Sequence, residues 1–215
     1  MKKFGRFLRD VIIFAFLIIC IFSVFVTIVS KKDADGAADV FGYQMRVVVS
    51  DSMAKCEHTD VSAYEIKDIP VRSLVFIKTM PKTAAEADAF YRSLQVGDVL
   101  TFRYVYTTQV TITHRITSIT EKETGGFVIE LAGDNKNSAD SHLTQVIDTS
   151  VPNNTNYVIG KVVGRSYVLG LIMNFLKQPA GIVAFVIVPC FIIIMFEVLK
   201  IARLLDEDRR RSDNY

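Results

Sequence analysis

The spacing of apolar and polar positions divides the chain into two long apolar runs and a β-like region between them. Val11 to Ser30 carries no charge and is rich in Ile, Phe, Val and Leu. Its length, about twenty residues, is roughly what a helix needs to cross a hydrocarbon core of about 30 Å. A second run extends from Pro179 to Phe196, with Leu199 and Ile201 beyond Glu197, and Val168 to Leu176 leads toward it. Its hydrophobicity goes all round the helix instead of forming one stripe, which fits lipid better than a one-sided core face. These runs predict transmembrane helices over 11–30 and 179–199, with 168–178 as a membrane-proximal segment. The competing readings are a cleavable signal peptide for the first and a buried core helix for the second. Against a signal peptide, the Ser30-Lys31-Lys32 exit has no small-x-small site.

Between the runs the period shortens. Tyr43 to Val49, Leu74 to Lys78, Asp98 to Tyr106, Val110 to Ile119, Gly126 to Ala132 and Tyr157 to Val163 are predicted strands, several bounded by Gly or Asp. Thr83 to Leu94 breaks the pattern: its alanines favour helix, and Thr83 with Glu86 forms a capping-box pattern, so 83–95 reads as a helical insertion. Residues 31–42, with Asp33, Asp35, Gly36 and Asp39, read as a polar linker, and 121–126 and 151–156 as loops. Many short strands without alternating helices predict a mainly β fold, an antiparallel β-barrel or folded sheet over 43–167, carried between N-terminal and C-terminal transmembrane helices.

Charge gives this arrangement an orientation. Lys2, Lys3, Arg6 and Arg9 precede the first run, and Lys200, Arg203 and Arg209 to Arg211 follow the second. Positively charged flanks stay cytoplasmic, so 1–10 and 200–215 are expected inside and the β region outside, on the extracytoplasmic or lumenal face. The 25 basic and 23 acidic residues leave a net charge of +2 with no contiguous basic stripe, which argues against nucleic acid as a partner. Of the three cysteines, Cys20 and Cys190 fall in the apolar runs, leaving Cys56 without a disulfide partner in the β region.

A nucleophilic serine requires a base within hydrogen-bond reach, a group that orients the base, and donors aimed at the oxyanion. Three segments supply these residue types. Val47-Val48-Val49-Ser50-Asp51-Ser52-Met53 runs a strand into a serine-bearing turn, and Val110 to Ile116 places His114 inside a strand. Gly133-Asp134-Asn135-Lys136-Asn137-Ser138-Ala139-Asp140 is a polar loop after a strand. Taken singly, each is ordinary: a strand-ending serine, a core or surface histidine, a turn. The polar loop lacks the Gly and Glu spacing of a calcium loop, and no metal or other cofactor is expected.

In combination and in order, these segments resemble the type I signal peptidases, in the branch of the endoplasmic reticulum, archaea and some Gram-positive bacteria that uses histidine where the main bacterial branch uses lysine. The resemblance covers Val47 to Met53, Gly97 to Phe102, Thr113 to Ile119, Gly133 to Asp140 and Gly160 to Arg165. It implies Ser52 as nucleophile of a Ser-x-Ser-Met motif and His114 as general base. Ser50, with the Ser52 backbone N–H, takes the oxyanion role, Asp140 orients the base, and Asp134 fills a further acidic position. Which of Asp134 and Asp140 touches His114 is left open. The pattern departs from the family at two points: no proline follows Met53, where Ala54, Lys55 and Cys56 stand, and Asp51 replaces the common glycine. A turn that ordinarily uses glycine often needs positive φ, which Asp tolerates better than most residues. A Ser-Lys mechanism through Lys122 or Lys136 lacks motif support.

The resemblance further implies a membrane-bound serine endopeptidase that removes signal peptides from secretory preproteins after a small-x-small motif. The precursor lies extended beside the enzyme's strands, and accessory membrane subunits are possible partners beside the lipid bilayer. Val47, Val49 and Ile112 are candidates for shallow substrate pockets, with ordinary core as the alternative. Two other readings stand: a noncatalytic membrane protein that uses the fold for binding or assembly, and a peptidase dedicated to a few precursors such as pilins or matrix proteins.

Overall fold

The period-2 pattern does its work in a nine-stranded sheet. A computed structural model describes residues 10–11, 13–14, 16–18, 21, 31–32, 37–57, 59–104, 110–138, 144–151 and 156–212. These fall into two units, one within Val29–Asn174 and one within Met1–Ile28 and Phe175–Tyr215.

The first unit holds strands β1 (Lys31–Lys32), β2 (Ala38–Val40), β3 (Tyr43–Val47), β4 (Leu74–Thr79), β5 (Val99–Tyr104), β6 (Val110–Glu121), β7 (Phe127–Ala132), β8 (Gln145–Asp148) and β9 (Asn156–Ser166). Their order across the sheet is β1-β2-β3-β4-β9-β5-β6-β7-β8. Every pairing between neighbours is antiparallel. The sheet is curled. Arg46 Nη1 on β3 donates to Thr111 Oγ1 on β6 at 3.3 Å, although three strands lie between them in the order.

Alternation explains why the central strands read as continuous apolar runs. Val99 joins a core of Met53, Ile69, Val75, Ile77, Ile159 and Val162, while its neighbour Leu100 joins one that includes Phe102, Ile116, Ile129, Leu131 and Val158. Successive side chains point to opposite faces, so β5 and β9 feed both cores. Helix α1 (Ala84–Arg92) supplies Phe90 and Tyr91 to the second core, as the alanine-rich pattern predicts. Thr83 is its N-cap, but its hydroxyl donates to the Glu86 carboxylate and makes no cap bond to backbone.

The six expected strands form with shifted ends, and three more appear. The expected linker over 31–42 contains β1 and β2, paired Lys31 with Asp39 and Asp39 with Gln44. Strands of two or three residues carry too little alternation to be read from sequence. Helix α2 (Tyr167–Leu176) occupies the expected membrane-proximal segment, and its buried Gly170 lies so close to the Arg72 carbonyl oxygen that a Cβ there would fall 1.9 Å from it.

In the second unit the described residues from Asp10 to Ile21 are helical, and a helical run continues through α3 (Pro179–Ile182), a π-helical turn (Val183–Ile187) and α4 (Val188–Ser212). Among the described residues, no helix is long and apolar enough to cross a membrane. The apolar residues of 179–199 are divided between the short α3, the π-helical turn and the start of α4, whose later turns carry Glu197, Lys200 and Arg203. Most of 11–30 lies outside the described residues.

Candidate active site

β3 ends at Val47 and the chain turns through Ser50–Met53, where Ala54 N donates to the Asp51 carbonyl at 2.9 Å. Met53 is the anchor of this turn: it is buried in the first core, and its carbonyl accepts from Ile69 N at 2.9 Å. The adjacent Ser52 is held at 4 % exposure, and its hydroxyl lies 3.3 Å from that of Ser50. The expectation of positive φ at Asp51 is not met. The described non-glycine residues with positive φ are Phe41 and Arg72. Asp51 serves through its polar groups instead, as the Asn135 and Ser138 contacts show.

His114 and Arg115 are consecutive on β6, both buried, and therefore face opposite sides of the sheet. His114 pairs across from Leu100, and its ring meets Phe102 edge-on at 6.5 Å. Its Nδ1 lies 2.6 Å from Gln145 Oε1 on β8. A carboxamide oxygen only accepts, so Nδ1 carries a proton in this contact.

Arg115 pairs across from Val99 and reaches the other side. Its Nε and Nη2 bond both oxygens of Asp134 at 2.9 and 2.7 Å, in a bidentate pair with side-chain exposures of 5 % and 6 %. It also donates to the carbonyls of Gly97, Ile66 and Lys67, and its guanidinium lies 4.7 Å from the centre of the Tyr64 ring. Asp134 is thus the partner of Arg115. Asp140 lies outside the described residues.

The loop after β7 joins the two segments. While Asp134 holds Arg115, the next residue donates from Asn135 N to the Ser52 carbonyl at 2.9 Å and from Nδ2 to the Asp51 carbonyl at 3.1 Å. Ser138 Oγ donates to Asp51 Oδ1 at 2.6 Å, and Asn137 Nδ2 approaches the buried Cys56 Sγ at 3.7 Å. The Ser52 turn, the His114-Arg115 strand and the 133–138 loop are therefore one hydrogen-bonded junction. Sequence reasoning missed Gln145, Asn135 and Ser138 as contributors. Asn135 and Ser138 stood inside a quoted motif, whereas Gln145 starts a four-residue strand without a motif.

The lysines considered as alternative bases are engaged elsewhere: Lys122 pairs with Asp148 and Ser150, and Lys136 Nζ donates to the Gly133 carbonyl at 3.1 Å. The suggested substrate pockets fare unevenly. Ile112 packs against the second core, the core alternative for that residue, because it shares a face with His114 and Ile116. Val47 is half-buried, and Val49, just beyond the end of β3, is 87 % exposed. Among the described residues, no group of three His, Cys, Asp or Glu side chains is placed to hold a metal ion. No protein-family model matches the chain, and no curated protein matches it.

Proposed function

We propose that the chain is a membrane-anchored serine endopeptidase of the type I signal peptidase kind, cleaving signal peptides from exported precursors after a small-x-small motif. The observation that carries this reading is the junction itself. The Asn135–Ser52 bond and the Arg115–Asp134 pair tie the serine turn and the acidic loop to the strand that carries His114, which supports this reading.

In this mechanism Ser52 Oγ attacks the scissile carbonyl and His114 Nε2 takes its proton, then delivers it to the departing amine. The Ser50 hydroxyl, beside Ser52 Oγ, donates to the oxyanion together with the Ser52 N–H. Water then hydrolyses the acyl-enzyme by the same base. The bond from Nδ1 to Gln145 fixes the tautomer this sequence of transfers needs.

The substrate lies along β3. β2 pairs with β3 at Tyr43 and Gln44, and the strand continues through Val47 to the serine turn, with its edge away from β4 on the side of β2. An extended peptide adds to such an edge through main-chain hydrogen bonds. Anchoring is by two membrane helices over 11–30 and 179–199, which hold the β unit on the extracytoplasmic or lumenal face of a cell or endoplasmic reticulum membrane. Exposed apolar residues in the helical segments support this: Phe14, Leu17 and Ile21 in the first, Ile187, Phe191 and Ile194 in the second.

The test is to incubate the detergent-purified chain with a secretory preprotein and sequence the new N-terminus. One cut after a small-x-small motif, lost when the small residue next to the bond is made bulky, is expected. Cleavage indifferent to that residue, or none with any of several preproteins, contradicts the reading.

A further inference from the structure

The polar loop after β7 is pinned to the serine turn at the position where the chain departs from the family it resembles. Three bonds do this: Asn135 N to the Ser52 carbonyl at 2.9 Å, Asn135 Nδ2 to the Asp51 carbonyl at 3.1 Å, and Ser138 Oγ to Asp51 Oδ1 at 2.6 Å. Two of them could form with any residue at position 51, because they use backbone carbonyls. The third needs a side-chain acceptor, which glycine lacks. Asp51 has no positive φ, so the backbone does not explain its presence. Its carboxylate is exposed, while the Ser138 hydroxyl it binds belongs to a residue 5 % exposed. A hydroxyl bonded to a carboxylate is a strong, short link.

The loop is thereby fixed at both ends. Asp134 is locked to Arg115, one residue from His114, and Ser138 is locked to Asp51, one residue from Ser52. Asn135 then bonds Ser52 itself. From Ser138 the chain continues toward Asp140, the residue that the resemblance assigns to orienting the base.

We infer that Asp51 is a positioning residue: with Ser138 it forms a clasp that sets Ser52 against the acidic loop, and through that loop against the histidine strand. The inference rests on the peptidase reading above. The clasp's chemical consequence is alignment, and a misplacement of about 1 Å at a reacting group costs on the order of 100-fold in rate.

The experiment compares the full chain in detergent with Asp51→Ala, Asp51→Asn, Ser138→Ala, the Asp51→Ala/Ser138→Ala double variant and Ser52→Ala. It reads kcat and KM on a preprotein, and hydrogen exchange at the Asn135 amide. Asp51→Ala and Ser138→Ala should each lower kcat at least about tenfold with KM nearly unchanged, and the double variant should be no worse than either. Asp51→Asn keeps an acceptor oxygen and should recover most of the rate. The Asn135 amide should exchange faster in Asp51→Ala. Unchanged kcat in Asp51→Ala, additive losses in the double variant, or an Asn135 amide indifferent to Asp51 overturns the inference. Cleavage that survives Ser52→Ala sinks the peptidase reading and the catalytic consequence with it, while the Asn135 amide still decides separately whether the clasp exists.

Discussion

Asp134→Ala removes the only carboxylate that the described contacts give the Arg115 guanidinium, which sits at 5 % side-chain exposure with its carboxylate at 6 %. Breaking one side of a buried ion pair costs about 3–5 kcal/mol, because the remaining charge is left in a poor solvent. Arg115 keeps its bonds to the Gly97, Ile66 and Lys67 carbonyls and its contact with the Tyr64 ring, so the lower end of that range, about 3 kcal/mol, applies. In a unit of this size each kcal/mol moves the melting temperature by about 2–4 °C, so Asp134→Ala should lower Tm by about 6–12 °C. Replacing both partners with apolar residues, Arg115→Met with Asp134→Leu, removes the stranded charge and should recover part of the loss. Thermal unfolding of the full chain in detergent, followed by near-ultraviolet circular dichroism, measures both. A Tm for Asp134→Ala within about 2 °C of wild type, or a double variant worse than Asp134→Ala, refutes the assignment of this pair as the support of the junction.

Three further perturbations test other parts of the site and sheet. Gln145→Glu puts a negative charge beside the His114 imidazole and favours its protonated form, so on the peptidase reading the acid limb of kcat/KM should move to higher pH; an unmoved limb removes Gln145 from contact with His114. Gly97 has φ of +99°, and a Cβ there would lie 2.3 Å from the Tyr64 ring, so Gly97→Ala should cost about 1–3 kcal/mol in unfolding experiments, less in a Tyr64→Ala background; equal costs in both contradict the packing. Hydrogen bonds from Lys122, then from Ser150, pull the Asp148 carboxyl down to about 2. Its contribution to stability is therefore full above the ordinary 3.8 and lost as pH falls through about 2. Carboxyl-carbon NMR should show that midpoint returning upward in Lys122→Met, and a wild-type midpoint near 3.8 denies the contact.

The parts of the fold legible in the sequence are those with enough repeats of a period. β6 shows its nature because Val110 to Ile119 is a long β-branched run, and α1 because its alanines interrupt the strand pattern. β1, β2 and β8 have two, three and four residues, too few for alternation to stand out. The site divides the same way. Motif order singled out Ser52 and His114, because the Ser-Asp-Ser-Met turn and the His-Arg pair are each local to one segment. Their supports depend on tertiary adjacency: Gln145 reaches His114 across 31 positions, Arg115 reaches Asp134 across 19, and Ser138 reaches Asp51 across 87. Asp51 shows the limit most clearly. Sequence suggested a backbone reason for an aspartate in a glycine's place, whereas the structure gives its carboxylate a partner that lies far along the chain.

The most direct measurement is preprotein cleavage by the detergent-purified chain and by its Ser52→Ala and His114→Ala variants, with folding of each checked by thermal unfolding. A serine peptidase built on this junction gives an active wild type and two folded variants with cleavage reduced at least about 10³-fold. Folded variants that cleave as fast as the wild type contradict the assignment of nucleophile and base, and an inactive wild type leaves the fold to a noncatalytic role.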